Sequence, residues 1–303
     1  MKKDSKYQGT VVPMVTPFTA DGRLDEPSLD RLVDSLLAGK VEGIFVMGTT
    51  GEGVSIPAAD RRRIVARTAA RANGAVRIFA GISNGNAVEA DMGNDYLRDG
   101  ADALVLHPRA GMDTDKMLPW FQKILDSLNG PLLLYNMPMT TKVSIPLDVV
   151  EKLLGHSRLA GIKDSENNPQ RLSELMKRFG GKKDFSVFVG VGAQMENGLK
   201  LGADGIVPSV GNLIPDVCHQ LCVSAKSGDW KKAGDHFSRM STVSALYQNG
   251  RTLNESLAAL KAAMHCRGLC APFVLPPLRP LSPAQLDKLR SEMEHLHLLN
   301  GKS

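Results

Sequence analysis

The residue in this chain best suited to chemistry is a lysine at the end of an apolar strand: Lys163, in the run Leu159-Ala160-Gly161-Ile162-Lys163-Asp164-Ser165. Arg158 to Ile162 reads as a short buried strand of small and branched side chains, and the ammonium arrives where that strand should end. Burying an ammonium is costly. The group must therefore pair with a carboxylate such as Asp164, snorkel to water, or give up its proton. Only the last makes an amine nucleophile. A second polar group, the phenol of Tyr135, closes another apolar run in Tyr135-Asn136-Met137-Pro138. It is either a rim aromatic bonded to backbone or, beside an amine, a proton shuttle. A third cluster is Gly48-Thr49-Thr50-Gly51-Glu52-Gly53. Its glycines allow close backbone approach, and two hydroxyls with helix-entrance amides suit a carboxylate. The plainer alternative is a glycine-rich turn capped by threonine. No lysine follows the glycines, which argues against a nucleotide loop. His107 ends a further strand and reads more readily as a loop histidine than as a catalyst.

These groups need a frame, and the chain supplies one by alternation. Strands are predicted at 9–15, 43–47, 76–80, 103–106, 132–135, 160–162, 185–189 and 205–207, separated by amphipathic stretches. The stretch 27–37 carries Leu29, Leu32, Val33, Leu36 and Leu37 at helical spacing, and 57–72 opens on Pro57, suited to a first turn. Gly100-Ala101-Asp102 and Gly202-Ala203-Asp204 repeat one helix-to-strand turn, and the segment from Val41 to Val46 is a looser copy. Eight fully apolar strands separated by helices imply a parallel sheet covered on both faces, and a closed (β/α)8 TIM barrel fits better than an open doubly wound sheet. No Gly-x-Gly-x-x-Gly follows the first strand, which argues against a dinucleotide fold. Beyond residue 228 strand signals stop, and helices are expected at 230–248, 253–266 and 283–299, the last two separated by a proline-rich stretch. The expected organisation is a barrel over 1–228 that carries the active site and a small helical domain over 229–303.

Composition narrows the class. The 303 residues are 43% hydrophobic and 23% charged, with 37 Lys and Arg against 32 Asp and Glu and a net charge of +5, as in an ordinary globular protein. The charges are interspersed. Arg61-Arg62-Arg63 reads as a solvated helix face, and no nucleic-acid partner is expected. Met1 to Lys6 is followed by no apolar signal core and no stretch approaches a membrane span, so a cytoplasmic location is expected. Cys218, Cys222, Cys266 and Cys270 form two pairs of spacing four beside His219 and His265. A zinc site is conceivable, but that spacing lacks the turn residues of structural ligand loops. Buried reduced thiols are favoured, and no metal is expected.

In their order and spacing, Gly48-Thr49-Thr50-Gly51-Glu52, Tyr135-Asn136-x-Pro138 and Gly161-Ile162-Lys163-Asp164 resemble the dihydrodipicolinate synthase and N-acetylneuraminate lyase family of class I pyruvate-dependent aldolases. Phe188-Val189-Gly190, Gly202-Ala203-Asp204-Gly205 and Leu275-Pro276-Pro277-Leu278-Arg279-Pro280-Leu281 extend the resemblance from about Gly9 to Pro283. It implies a (β/α)8 barrel with a helical C-terminal domain, a homotetramer built as a dimer of dimers, and no metal or dissociable cofactor. By the same resemblance Lys163 condenses with the ketone of pyruvate or another 2-oxo acid, and Tyr135 shuttles protons. Thr49 and Thr50 hold the carboxylate, Thr50 relays a proton to Tyr135, and Gly190 and Val207 line the pyruvate pocket.

Departures from the family pattern bear on substrate. The synthases carry an arginine two residues after the proline of the tyrosine motif, where this chain has Thr140, which cannot form a bidentate charge pair. They also place a neighbouring subunit's tyrosine in the site, from a position that here is Ala110. The sialic acid lyases present acidic residues where this chain has Val191-Gly192-Ala193-Gln194. The expected reaction is therefore Schiff-base cleavage or formation of a 2-oxo acid such as a 2-keto-3-deoxy sugar acid, with an aldehyde partner. Ser165, Ser209 and Thr140 are expected to meet substrate, and His107 or Arg109 a distal group. The alternatives are a 4-hydroxy-tetrahydrodipicolinate synthase, a related dehydratase, a metal-dependent barrel lyase, and a non-catalytic 2-oxo-acid binding protein.

Overall fold

A computed structural model describes residues 6–82 and 87–299, with the side chains of residues 87–89 left aside. The reading of residues 1–5 lies outside the described residues. Eight strands form: β1 (Gly9–Pro13), β2 (Gly43–Val46), β3 (Arg77–Ile82), β4 (Ala103–Leu106), β5 (Leu132–Asn136), β6 (Leu159–Asp164), β7 (Ser186–Val189) and β8 (Gly205–Ile206). All pair in parallel and close in sequence order, β8 returning to β1, which makes a TIM barrel. Around it run α1 (Glu26–Ala38), α2 (Ala58–Ala72), α3 (Ala87–Arg98), α4 (Thr114–Ser127), α5 (Pro138–Thr141), α6 (Leu147–Leu153), α7 (Pro169–Phe179), α8 (Met195–Lys200) and α9 (Pro215–Lys226). Three further helices follow: α10 (Trp230–Gln248), α11 (Leu253–Cys266) and α12 (Pro283–His295).

Alternation along each strand divides the core in two. Val11, Phe45, Phe79, Val105, Leu133 and Phe188 fill the barrel interior. Their strand neighbours, among them Val12, Ile44, Leu104, Leu134 and Val187, face outward and pack against the helices. Helix starts follow local chemistry. The Asp25 side chain accepts from the Ser28 N–H at the head of α1, and reciprocal capping boxes, Thr252 with Glu255 and Ser282 with Gln285, open α11 and α12. The basic run is absorbed between helices. Arg63, Arg67 and Arg71, one turn apart on α2, pair with Glu26, Asp30 and Asp34 on α1, while Arg62 pairs with Asp99.

Several boundaries differ from the sequence reading. β1 ends at Pro13, and β8 spans only two residues. β6 extends through Lys163 and Asp164, because both stay in register with β5 and β7. Two short helices, α5 and α6, occupy the connection from β5 to β6, where the sequence reading expects a single amphipathic stretch. α12 stops at His295 rather than continuing to 299, and His297 at φ +56° has left the helical region.

The cysteine pairs sit apart from any metal geometry. The Thr10 hydroxyl reaches the Cys218 carbonyl at 3.0 Å and Cys222 Sγ at 3.3 Å, and the His219 ring pairs with Glu42 at 2.8 Å. His265 Nδ1 lies 3.2 Å from the Cys270 carbonyl. Among the described residues no three His, Cys, Asp or Glu side chains stand where they could hold an ion. All four cysteines are free, and burial pushes the Cys270 thiol up to about 11 and Cys218 well above the usual thiol range. Among the described residues no helix is long and apolar enough to cross a membrane.

Candidate active site

Strand register decides where Lys163 points. Tyr135 on β5, Lys163 on β6 and Phe188 on β7 are register partners, and partners in a parallel sheet share a face. With Tyr135 and Phe188 inside the barrel, Lys163 also projects inward. It is 6% exposed, and its nitrogen lies 4.0 Å from the centre of the Tyr135 ring and 5.0 Å from that of Phe45. Among the described residues no carboxylate pairs with this ammonium. Asp164, the next residue, faces the opposite side of the strand and is engaged by Arg171 Nε at 2.8 Å. The Asn136 amide donates to Asp164 at 3.0 Å and to Glu166 at 3.1 Å, so the buried charges behind the lysine are spent on one another. Burial raises the Asp164 carboxyl above its usual value, with Arg171 opposing that shift.

Space beside the lysine comes from Gly190. A β-carbon there would stand 2.9 Å from Lys163 Cε and collide with Ser165 Oγ, so any larger residue would displace both side chains. The Gly190 N–H donates to the Asp164 carbonyl at 2.7 Å, which holds the end of β7 against β6. Val207, 5% exposed, belongs to the same interior layer.

The loop after β2 brings hydroxyls to the opposite wall. Thr49 Oγ1 lies 3.4 Å from Tyr135 Oη. The expected relay runs through Thr50, but among the described residues the hydrogen bond to the phenol comes from Thr49, the first of the two threonines, and none joins Thr50 to Tyr135. The phenol is 4% exposed, with Phe45 and His107 edge-on to its ring at 6.4 and 6.1 Å. The His107 Nδ1 lies 2.8 Å from the Pro108 carbonyl.

Two cavities border this arrangement, one at Tyr135 and one at Gly190. One, of about 490 Å³, is lined by Thr49, Tyr135, His107, Arg109, Ala110 and Thr140, among others. The other, of about 240 Å³, is lined by Gly190, Ser209, Ser244 and Gln248, among others. Two of the residues expected to meet substrate have partners within the fold. The Thr140 hydroxyl turns back to the Met137 carbonyl at 3.2 Å, and Ser209 Oγ lies 2.8 Å from Tyr247 Oη. Arg109 is exposed, with its guanidinium carbon 6.0 Å from the centre of the Trp120 ring.

The sequence reading missed Phe45, which shares the lysine with Tyr135, and Arg171, which takes Asp164 away from it. Phe45 looked like any strand aromatic. Arg171 lies in the first turns of α7, and its one sequence signal is Asn168 and Pro169 announcing a helix start there. Chemically, a buried amine without a paired anion, a phenol against it and a hydroxyl at the phenol can together add to a ketone and move protons about the adduct.

The dihydrodipicolinate synthetase family matches residues 6–296. A 4-hydroxy-tetrahydrodipicolinate synthase of Methanothermobacter thermautotrophicus is 32% identical over 88% of this chain and 95% of its own length. The Escherichia coli protein YagE, provisionally named a 2-dehydro-3-deoxy-D-gluconate aldolase, is 27% identical over 98% of this chain and all of its own. Among solved structures, the dihydrodipicolinate synthase of Bacteroides thetaiotaomicron superposes with a TM-score of 0.90 at 29% identity, covering 95% of this chain and 98% of that one.

Proposed function

The chain belongs to the dihydrodipicolinate synthetase family and is a class I aldolase of that family; we propose that it makes or cleaves a 2-oxo acid, such as a 2-keto-3-deoxy sugar acid, through a Schiff base between Lys163 and pyruvate. The observation that carries this reading is the placement of Lys163, inside the barrel against the Tyr135 ring with no paired carboxylate among the described residues.

In the cleavage direction the Lys163 nitrogen adds to the C2 ketone, and the carbinolamine takes the Tyr135 hydroxyl proton and loses water, giving a protonated imine and leaving Tyr135 as the phenolate. That imine draws the electron pair of the C3–C4 bond as the C4 hydroxyl proton passes to Tyr135. An aldehyde leaves, and the enamine takes a proton at C3 before water releases pyruvate and the free amine. Thr49, 3.4 Å from the phenol, orients that shuttle, and Thr49 and Thr50 receive the substrate carboxylate. Gly190 and Val207 form the floor beside the lysine. The chemistry resides in the protein side chains, with no metal or dissociable cofactor, in a cytoplasmic homotetramer arranged as a dimer of dimers.

The sugar-acid reading draws on the name of the YagE relative and on two residues. Thr140 supplies no guanidinium at the cavity wall, and Ala110 no phenol. Both weigh against a 4-hydroxy-tetrahydrodipicolinate synthase, the activity by which the archaeal relative is named. Borohydride reduction in the presence of pyruvate, followed by intact mass and peptide mapping, tests the imine with Lys163→Ala as control. An adduct confined to Lys163 is expected, and folded protein without one sinks the mechanism. A panel of 2-keto-3-deoxy acids then tests the substrate class.

A further inference from the structure

Glu52 and Lys261 lie 209 residues apart in sequence and meet in a buried ion pair. Glu52 is the single acidic residue of the loop that carries Thr49, and Lys261 lies on α11. They are 5% and 1% exposed. Both carboxylate oxygens are taken by the C-terminal helical region: Oε1 accepts from the Lys261 ammonium, and Oε2 accepts from the Leu275 N–H at 2.7 Å. The ammonium also donates to the Phe273 carbonyl at 2.9 Å, and its nitrogen stands 4.7 Å from the Phe18 ring centre. A second tie lies close by, where Ser55 Oγ donates to the Pro276 carbonyl at 2.9 Å.

The path from this pair to the site is short. Glu52 stands at φ +58°, a left-handed conformation that a residue with a side chain keeps only when its surroundings enforce it. Its N–H donates to the Thr49 carbonyl at 3.2 Å, and the N–H groups of Gly51 and Gly53 both reach the Gly48 carbonyl, at 3.1 and 3.0 Å. A β-carbon on Gly53 would collide with the Met47 carbonyl oxygen, so the turn has no slack on that side. Whatever fixes the Glu52 carboxylate therefore fixes the backbone of Thr49, from which its hydroxyl reaches Tyr135.

We propose that the Glu52–Lys261 pair is a positioning device through which the C-terminal helical region sets Thr49 against Tyr135. As a contribution to the proposed reaction it rests on the imine reading, but the placement of Thr49 can be measured without it. Lys261 touches no reacting atom and acts through Glu52 and the turn. A buried ion pair is seldom chosen for stability, since an apolar pair of similar volume often does as well. It does impose a direction and a distance, which a hydroxyl acting on a phenol requires.

The test compares crystal structures of the wild type, Lys261→Met, Glu52→Gln and the double variant E52Q/K261M. The double variant leaves no unpaired buried charge and so guards against simple unfolding. Removing the pair is expected to widen the Thr49–Tyr135 separation from 3.4 Å to beyond hydrogen-bond reach. Exchange of pyruvate methyl protons in D₂O, followed by NMR, is expected to slow on the order of 10²-fold while borohydride still traps pyruvate at Lys163. A folded variant with the separation unchanged overturns the proposal, as does one in which the loop has moved and the exchange rate has not. A lower Tm with separation and exchange intact marks a structural pair only and overturns it equally. If the wild type itself traps no pyruvate, the imine reading falls, and the separation alone decides whether the pair positions Thr49.

Discussion

Tyr135 and Lys163 are register partners across β5 and β6, and the amine nitrogen of one lies 4.0 Å from the ring centre of the other. In place of a counter-ion the amine has two aromatic rings, Tyr135 at 4.0 Å and Phe45 at 5.0 Å, whose centres lie 6.4 Å apart and so meet it roughly at right angles. A ring face holds a cation by about 0.5–2 kcal/mol and occupies one direction of approach. A carboxylate would bind it more firmly and block more of it. The two rings seat the nitrogen without tying it to a carboxylate, which an amine that is to add to a carbonyl requires.

Replacing that amine should cost activity and not stability. Lys163→Met keeps the volume and apolar stem while removing a buried ammonium that has no paired carboxylate among the described residues. The expected outcome is complete loss of borohydride-trapped pyruvate with a Tm equal to or above that of the wild type. A Tm several degrees lower would show that the ammonium stabilises the barrel and would weaken its assignment as a nucleophile.

Gly190→Ala should act as a selective block. Its added methyl would sit 2.9 Å from Lys163 Cε and overlap Ser165 Oγ, forcing the lysine off its position. Overpacking of this kind costs about 1–3 kcal/mol of stability. A displacement near 1 Å at a reacting group can cost on the order of 10² in rate. Pyruvate methyl exchange should therefore fall far more than Tm does, and a variant with near-normal exchange would place the productive amine away from Gly190.

The frame was legible where physics is local. Apolar strands at regular spacing announced a barrel, and the lysine after Gly161-Ile162 stood out because a strand interior is an expensive place for a charge. Long-range pairing was not legible. That Arg171 would take Asp164, that Tyr247 would take Ser209, or that Lys261 would reach Glu52 depends on which elements close on each other. The apolar setting of Lys261, in Leu260-Lys261-Ala262-Ala263-Met264, was nonetheless the same kind of signal that exposed Lys163. Which of two adjacent threonines faces the phenol was likewise a matter of turn geometry, set by Met47 and Glu52 at positive φ.

Alkaline stability should report the buried thiols. The Cys270 thiol is raised from about 9 to about 11, chiefly by desolvation, and Cys218 is raised by the same cause. The folded state thus keeps a proton that the unfolded chain releases. This stabilisation is present in full below about pH 9 and is lost as pH rises through about 11, at up to about 1.4 kcal/mol per pH unit per thiol. Urea unfolding between about pH 8 and 11 should show stability declining across that window. The decline should be shallower in Cys270→Ala, and an identical slope in that variant would contradict the assignment.

The two threonines can be separated by the step each one affects. Thr49 Oγ1, 3.4 Å from Tyr135 Oη, can pass a proton to or from the phenol, whereas among the described residues no hydrogen bond joins Thr50 to Tyr135. Replacing each by valine keeps the shape and removes only the hydroxyl. Thr49→Val should slow pyruvate methyl exchange by 10-fold or more, on the order expected for loss of one general acid–base element. Its effect on the pyruvate concentration needed for half-maximal trapping should be smaller. Thr50→Val should show the reverse, weaker pyruvate binding with a modest change in exchange at saturation, because a hydroxyl that only holds the carboxylate contributes equally to ground and transition states. Equal losses of exchange in both variants would return the relay to the pair as a unit, and a larger loss in Thr50→Val would mean that the loop turns over when pyruvate enters.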